Sequence, residues 1–516
     1  MGNEKRLNNA NRVIFNSTVL YTKILVNVAI SLVSVPIIMR ALGNSDYGLY
    51  SLVAGVIGLL AFLKSAMTVS TQRFISVAIG EGKIEKINGI FNTSLSLHLV
   101  IGGIIVLLFE VFALFMFDGF LNIEPGRDEA AKIIFQFLVV TTFLEVACVP
   151  YEGVMNAKED MLAFSIIGIV SALLKLLLAL YLRICSFDRL VIYGIGMALI
   201  SLATVTTYIV FTRVKYKELQ FNLAKYSDKS MMKEILGFTG WNTFGAIALV
   251  GRNQGVAIIL NKFFGTVLNA AYGVANQVNG VMGYFSNSFS KAITPQLMKS
   301  HGAGDDGRML KLAMISSKFS VFVMAFLAVP LIIEMPHILM MWLQTPPEFT
   351  VELCRWILIL SLVNQFSIGL MNSISASGNI KNYQIIMSVL ILLNVPLSYV
   401  VLKWGYPPYY CTIGFVIIEV ISLLARLLMA KKIVGISISG FVNGVIFPAI
   451  LCMAISFIPS FICHHFMSVS LFRIIVVFIV YIVAFAGSIW GIALTNYEKS
   501  VITDLISKVG TKINKY

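Results

Sequence analysis

The sequence predicts an all-α polytopic membrane protein of about 14 transmembrane helices. They are expected as two six-helix lobes in parallel pseudo-twofold repeat, followed by a C-terminal helix pair. Three observations carry this. The 516 residues are 58% hydrophobic and only 12% charged, with a mean hydropathy of +0.87, whereas a soluble domain carries about a quarter charged residues. The apolar residues come in runs of about 20, the length that crosses a hydrocarbon core. The second half of the chain also echoes loops of the first.

Taken in order, apolar runs at 14–39, 48–71, 89–117, 132–150, 162–183 and 189–212 make a first set of six. Runs at 237–260, 269–294, 310–333, 351–375, 383–403 and 409–430 make a second, and 441–463 and 471–494 close the chain. The amphipathic run 269–294 and the run 132–150 are the weakest. The domains that follow are an N-lobe (1–212), a basic cytoplasmic linker (213–236), a C-lobe (237–430), the helix pair (441–494) and a basic tail (495–516). The opening MGNEKRLNNANRVIFNSTVLYTK does not read as a cleaved signal, because Lys23 and Asn27 interrupt it and no small-residue cleavage site follows. The six cysteines show no CxxC and no regular spacing, so neither a disulfide frame nor a metal site is expected.

Orientation follows from lysine and arginine. With the N-terminus inside, the cytoplasmic segments hold 23 of them and the opposite side 7. Both termini are therefore expected in the cytoplasm, and the net charge of +14 reads as a topology signal. No nucleic-acid partner is needed to explain it. The repeat signal lies in PIIMRALGNSDYGLY (36–50), echoed by AIILNKFFGTVLNAAYGVA (257–275). Each has an apolar helix end, a glycine (Gly43, Gly265), polar residues and then Tyr-Gly. Six spans per copy give the copies one orientation, hence a parallel repeat. In the first copy, Gly43 is expected in the left-handed position past a helix end, with Arg40 complementing the last turn's dipole. Asn44 or Ser45 would cap the next helix and Asp46 would sit in its first turn.

These stretches also carry a resemblance. Asn16-Ser17-Thr18, the hairpin R-x-L-G-x-x-D-Y-G-x-Y (Arg40 to Tyr50) and Gln72-Arg73-Phe74 before a Gly-rich charged loop resemble the Wzx-type O-antigen and polysaccharide flippases. Those belong to the multidrug/oligosaccharidyl-lipid/polysaccharide exporter superfamily. The likeness is strongest over 14–100, and the fourteen-span layout extends it along the chain. It implies two lobes in a V around a central cavity and alternating access. It also implies transport of undecaprenyl-pyrophosphate-linked glycan, an O-antigen or other surface-polysaccharide unit, across a bacterial inner membrane. The expected partners are that lipid-linked glycan, membrane lipid, and a polysaccharide polymerase with its chain-length machinery. The transport unit is expected to be a monomer without a cofactor.

With cations at the span boundaries counted among the 30 of the loops and tails, nine of the 39 lie within spans. A charge at mid-membrane costs roughly 2.5–3.5 kcal/mol on the lenient insertion scale, so it normally faces a cavity or a partner. Lys23, Lys64, Lys175 and Arg252 lie deep, Lys318 is intermediate, and Lys291 completes the candidate set for holding a pyrophosphate. Lys291, Arg355, Arg426 and Arg473 are near enough to span ends to snorkel. Asn27, Asn276, Asn279 and Asn364 are candidate glycan contacts, with interhelical hydrogen bonding as the other reading. Glu110, Glu145 and Glu419 are intramembrane carboxylates, suited to proton or ion coupling or to pairing with the lysines. His98 is the one histidine read as clearly intramembrane, and as a packed polar residue.

The rival class is a polytopic enzyme such as a glycan polymerase. The longest outer loop, EMPHILMMWLQTPPEFT at 334–350, holds no lysine or arginine, and no P-loop, HExxH or GxSxG occurs. A transporter is therefore expected and an enzyme is not. Within transporters, a peptidoglycan-precursor flippase or a multidrug antiporter is the alternative.

Overall fold

The computed structural model describes residues 2–58, 61–115, 117, 126–496, 498–500 and 503. Its elements are helices, with no strand among the described residues. In chain order they are α1 (Gly2–Gly58), α2 (Ala61–Gly80), α3 (Ile84–Phe115), α4 (Asp128–Ala157), α5 (Met161–Tyr181) and α6 (Arg189–Lys215). A single-turn α7 (Leu223–Tyr226) precedes α8 (Lys229–Gly302) and α9 (Asp306–Leu343). Then come α10 (Thr350–Phe366), α11 (Ile368–Ser377), α12 (Lys381–Lys403), α13 (Tyr409–Val434), the short α14 (Ile438–Phe441), α15 (Phe447–Phe466) and α16 (Leu471–Ser488).

Among the described residues, 11 helical segments are long and apolar enough to span a bilayer, and the bent pair α10–α11 makes 12. The expected count of fourteen is not reached, because the runs 48–71 and 269–294 do not qualify. The first crosses residues outside the described set, and the second is punctuated by asparagines. The run 132–150 does qualify, inside α4. Leu107 and Leu114 of α3, 67% and 72% exposed, show where such helices turn to lipid.

The chain divides into two compact units. One holds Thr18–Ala246 with Gly302–Gly304; the other holds the rest of the described chain. In the first, Ile38, Leu42, Phe109, Ile134, Phe135, Leu138 and Tyr193 close an apolar core. The same backbone device serves each unit. Helices α1 and α8 are broken at Gly43 (φ 80, ψ 168) and Gly265 (φ 76, ψ −167). Both values lie in an extended positive-φ region that is essentially glycine's alone. The break is thus not the left-handed helical cap expected from sequence, although the glycine is where the sequence put it.

Three loops tie the first kink in place. Arg127 Nε donates to Asp46 Oδ1 at 2.8 Å, its Nη2 bonds the other oxygen, and Nη1 reaches Asp188. Those carboxylates hold the Arg127 guanidinium's pKa above its ordinary value. The carbonyl of Ala41, freed by the break, accepts from Arg189 Nη1 at 3.0 Å, so a residue 148 positions on caps this helix. The capping roles expected of Asn44 and Ser45 fall on side chains outside the described residues.

The basic linker is fastened to its own unit. Asn88 and Asn92, one turn apart on α3, each pair in both directions with extended backbone. Asn88 Nδ2 donates to Glu218 O (3.1 Å) and its Oδ1 accepts from Gln220 N (3.0 Å). Asn92 Nδ2 donates to Gln220 O (2.8 Å) and its Oδ1 accepts from Asn222 N (3.0 Å). Two amides thus act as the edge of a sheet for a segment with no strand partner. Lys158 adds a 2.8 Å ion pair to Glu218, which holds that carboxyl below the usual carboxylate range.

In the other unit, α10 and α11 bend by 44° at Ser367. The bend frees the amide of Gly369, which donates to Ser317 Oγ of α9 at 2.9 Å. A Cβ at 369 would lie 1.8 Å from the Ala313 carbonyl oxygen, so only glycine permits this approach. Helix α9 runs through Leu343, so the expected outer loop 334–350 shrinks to residues 344–349. Glu334 and His337 are therefore helical, and so is His464 on α15.

Candidate functional site

A cleft in the first unit is built from four helical stripes. Lys64 comes from α2. Thr141, Glu145, Cys148 and Glu152 descend one face of α4, Ser171 and Lys175 lie one turn apart on α5, and Ser201, Thr204 and Tyr208 face them from α6. Spacings of three and four residues put each set on one side of its helix. The cleft encloses about 450 Å³, part of it open to solvent.

Its charges are unevenly partnered. Lys64 Nζ lies 3.3 Å from Glu145 and 3.6 Å from Glu152. Lys175 has no carboxylate partner among the described residues, and its side chain is exposed. The hydroxyl of Thr204 donates to Ser171 Oγ at 3.2 Å, leaving a row of hydroxyl groups between the two lysines. Two lysines and two carboxylates balance formally, yet the positive end at Lys175 is available to an anion. The pairing of Lys64 with Glu145 is the counter-ion arrangement open from sequence. Glu152 was not singled out there, although its seven-residue spacing from Glu145 marks it as the same face.

The remaining candidates in this unit lie elsewhere. Lys23 stands over the Phe164 ring, 3.8 Å from its centroid, and crosses α5 at Gly168, where a Cβ would meet its Cε at 2.5 Å. Phe164 in turn leans on Tyr208, which joins Lys23 to the cleft wall through one aromatic contact. Asn27 Oδ1 is buried and accepts no hydrogen bond among the described residues. Glu110 is away from the lysines, accepting from Gln136 Nε2 at 3.1 Å. His98 is buried against the Ser94 carbonyl, as a packed polar residue would be.

The second unit gathers its candidates into a buried network. Glu419 takes Asn364 Nδ2 at 3.0 Å and pairs with Arg426, which also donates to Ser367 Oγ at 3.0 Å. Arg426 is 3% exposed, so it does not snorkel as its position near a span end suggested. Arg252 lies over the Phe415 ring and bonds Asn253 Oδ1 at 3.0–3.1 Å. Asn279 bonds Ser361, and Asn372 bonds Ser290 and Thr294, so those amides serve helix contacts. Asn276 lies beside Tyr272, one turn back on α8. Lys318 is fully enclosed, donating to Glu498 Oε2 at 2.7 Å and to Ala493 O at 3.2 Å. Lys291 sits partly buried on α8. Arg355 donates to the carbonyls of Ile332 and Ile333.

A family model described as "Polysaccharide biosynthesis protein" matches residues 13–301. The chain belongs to that family. It is similar to the "Probable multidrug resistance protein YoeA" of Bacillus subtilis (strain 168), at 22% identity over 337 residues, 62% of this chain and 70% of that one. Among solved structures, it resembles a MATE transporter in the bent conformation, with TM-score 0.73, 14% identity and coverage of 83% and 95%. It also resembles an outward-facing multidrug resistance MATE transporter of the MOP superfamily, with TM-score 0.71, 15% identity and coverage of 83% and 96%. A Vibrio cholerae MATE transporter gives TM-score 0.67 at 14% identity, covering 82% and 97%. This family member is thus a multi-pass membrane protein with the MATE transporter fold.

Proposed function

We propose that the protein is a flippase for a lipid-linked oligosaccharide, carrying a pyrophosphate-borne sugar head across a bacterial inner membrane by alternating access, both termini cytoplasmic. The observation that carries this reading is the cleft that Lys175 shares with a row of hydroxyls, in a chain of the polysaccharide biosynthesis family. An ammonium without a carboxylate suits a diphosphate as a point charge, and the Ser171, Ser201 and Thr204 hydroxyls suit sugar hydroxyls. The prenyl tail can stay in lipid while the head passes. Protons on both Glu145 and Glu152 would release Lys64 as a second cation, which couples head-group binding to proton uptake. Polysaccharide polymerase and chain-length machinery are the natural partners of such an exporter.

The test is flipping of a fluorescent undecaprenyl-pyrophosphate oligosaccharide in proteoliposomes. Lys175→Ala is expected to slow it at least about tenfold, the loss of one charge-assisted hydrogen bond of about 1.5–3 kcal/mol. Undiminished flipping with normal insertion overturns the reading. A second reading, a multidrug exporter, is favoured by Glu145 and Glu152 beside Tyr208, which offer a cationic aromatic compound two carboxylates and a ring. Under that reading a cationic dye is exported, Glu152→Gln abolishes export and Lys175→Ala does not.

A further inference from the structure

Four ionisable side chains meet where α9, α15 and α16 come together, outside the cleft and the Glu419 network. Helix α9 supplies Glu334, 0% exposed, and His337 one turn on. Helix α15 supplies His464 and α16 supplies Arg473, which is 4% exposed. Arg473 Nη2 reaches Glu334 Oε2 at 2.9 Å, and His464 Nδ1 lies 2.7 Å from Glu334 Oε1. His337 Nδ1 is 2.7 Å from Arg473 Nη2 and 3.2 Å from Glu334 Oε2, and its Nε2 is 3.1 Å from the same Nη2. Both imidazoles are 22% exposed, so water reaches them while the carboxylate stays sealed. Of the other charged groups nearby, Arg355 of α10 is bonded to the carbonyls of Ile332 and Ile333, and His465 is turned against Phe461 and Phe466.

Donor chemistry fixes the resting state. A guanidinium only donates, so a neutral His337 ring accepts from Arg473 at one of its two nitrogens, both of which lie within reach of Nη2. A carboxylate only accepts, so His464 Nδ1 carries its proton and donates to Glu334. The cluster then holds one positive and one negative charge. Adding protons breaks this pattern in two places. An imidazolium at His464 competes with Arg473 for the single carboxylate, and an imidazolium at His337 has no lone pair left for Arg473 and itself turns its Nδ1–H to Glu334 Oε2, in a poorly hydrated site where like charges repel strongly.

We infer that Glu334, His337, His464 and Arg473 form a proton-binding site, at which acidification moves Glu334 from Arg473 to His464 and so loosens α16 from α9. Histidine titrates in the physiological range, and the charge asymmetry of the sequence puts these helix ends outside, so the proton comes from the extracytoplasmic medium. Loosening one tether while strengthening another gives the helix pair two discrete arrangements, the requirement for a switch. The site needs no substrate and stands apart from the cleft.

Hydrogen exchange of the full-length protein in lipid nanodiscs at pH 8 and pH 5.5 tests this, with rates corrected for intrinsic pH dependence. Peptides covering 467–476 are expected to exchange roughly tenfold faster at the acid pH, local opening made easier by about 1.4 kcal/mol. The double variant His337→Gln and His464→Gln keeps an acceptor for Arg473 and a donor for Glu334 and is expected to lose the pH step. Glu334→Gln, which removes the carboxylate, is expected to exchange fast at both pH values. A wild-type protein without the step overturns the proposal, whatever the variants do, and so does a step that survives in the double variant. Failure here leaves the flipping assay untouched, because no cargo takes part.

Discussion

Gly43 and Gly265 show how a single residue type encodes a feature repeated in each unit. Both backbones sit near φ 80 with an extended ψ, and a Cβ would meet nothing within 4 Å at either. Any cost of substitution is therefore conformational and not steric. Gly43→Ala or Gly265→Ala is expected to destabilise the protein by about 1–3 kcal/mol, the strain of holding alanine in that region. Gly103→Ala, on α3 with equally open space, is expected to be neutral or stabilising by up to about 1 kcal/mol. Thermal unfolding in detergent measures all three, and equal shifts for Gly43 and Gly103 would remove the backbone argument. The glycines were legible because a lone glycine before polar residues and Tyr-Gly recurs at matching places. Arg127 and Arg189 were not, because their partners at Asp46 and Ala41 are 81 and 148 positions away. Spacing along the chain carries no information about such pairs.

At the scale of elements, the linker is where sequence reading stopped earliest. Its lysines and arginines give it a side of the membrane, but nothing in the sequence marks Asn88 and Asn92 as its anchors. Their four hydrogen bonds to linker backbone exist only because α3 presents both amides on one face, one turn apart. Each asparagine makes two bonds worth about 1 kcal/mol each. Asn92→Ala is expected to make cleavage of the linker at its lysines roughly 30-fold faster under limiting trypsin, with local opening before cutting. Asn92→Asp keeps an acceptor but not a donor, so it should fall between. Cleavage unchanged in both would mean that the ion pair from Lys158 to Glu218 holds the segment by itself. The four stripes that build the cleft, by contrast, were partly readable. Lys64, Lys175 and Glu145 were singled out from depth and helical spacing. Glu152 lies past the end of the apolar run 132–150, where a charge needs no explanation.

At the scale of the whole molecule, the last helices turn out to be bound by charge as well as by apolar contact. Lys318 and Glu334, two buried charges on α9, each have a charged partner on chain that lies beyond residue 434. Glu498 and the Ala493 carbonyl serve the first, and Arg473 and His464 serve the second. From sequence, Lys318 looked like a cavity cation and Glu334 like a loop residue. Neither reading could foresee a partner 180 or 139 positions on. Breaking a buried pair by removing one side costs about 3–5 kcal/mol, since the other charge is left without compensation. Truncation after Val434 strands both charges and is expected to give a protein that inserts but does not survive solubilisation as a monodisperse species. The same truncation carrying Lys318→Met and Glu334→Gln removes the stranded charges and is expected to recover a substantial fraction of monodisperse material. Fluorescence-detected size exclusion compares the two directly. If the neutralised truncation behaves no better, the helix pair is needed for its apolar contacts alone, and the charges on α9 do not decide whether the unit holds.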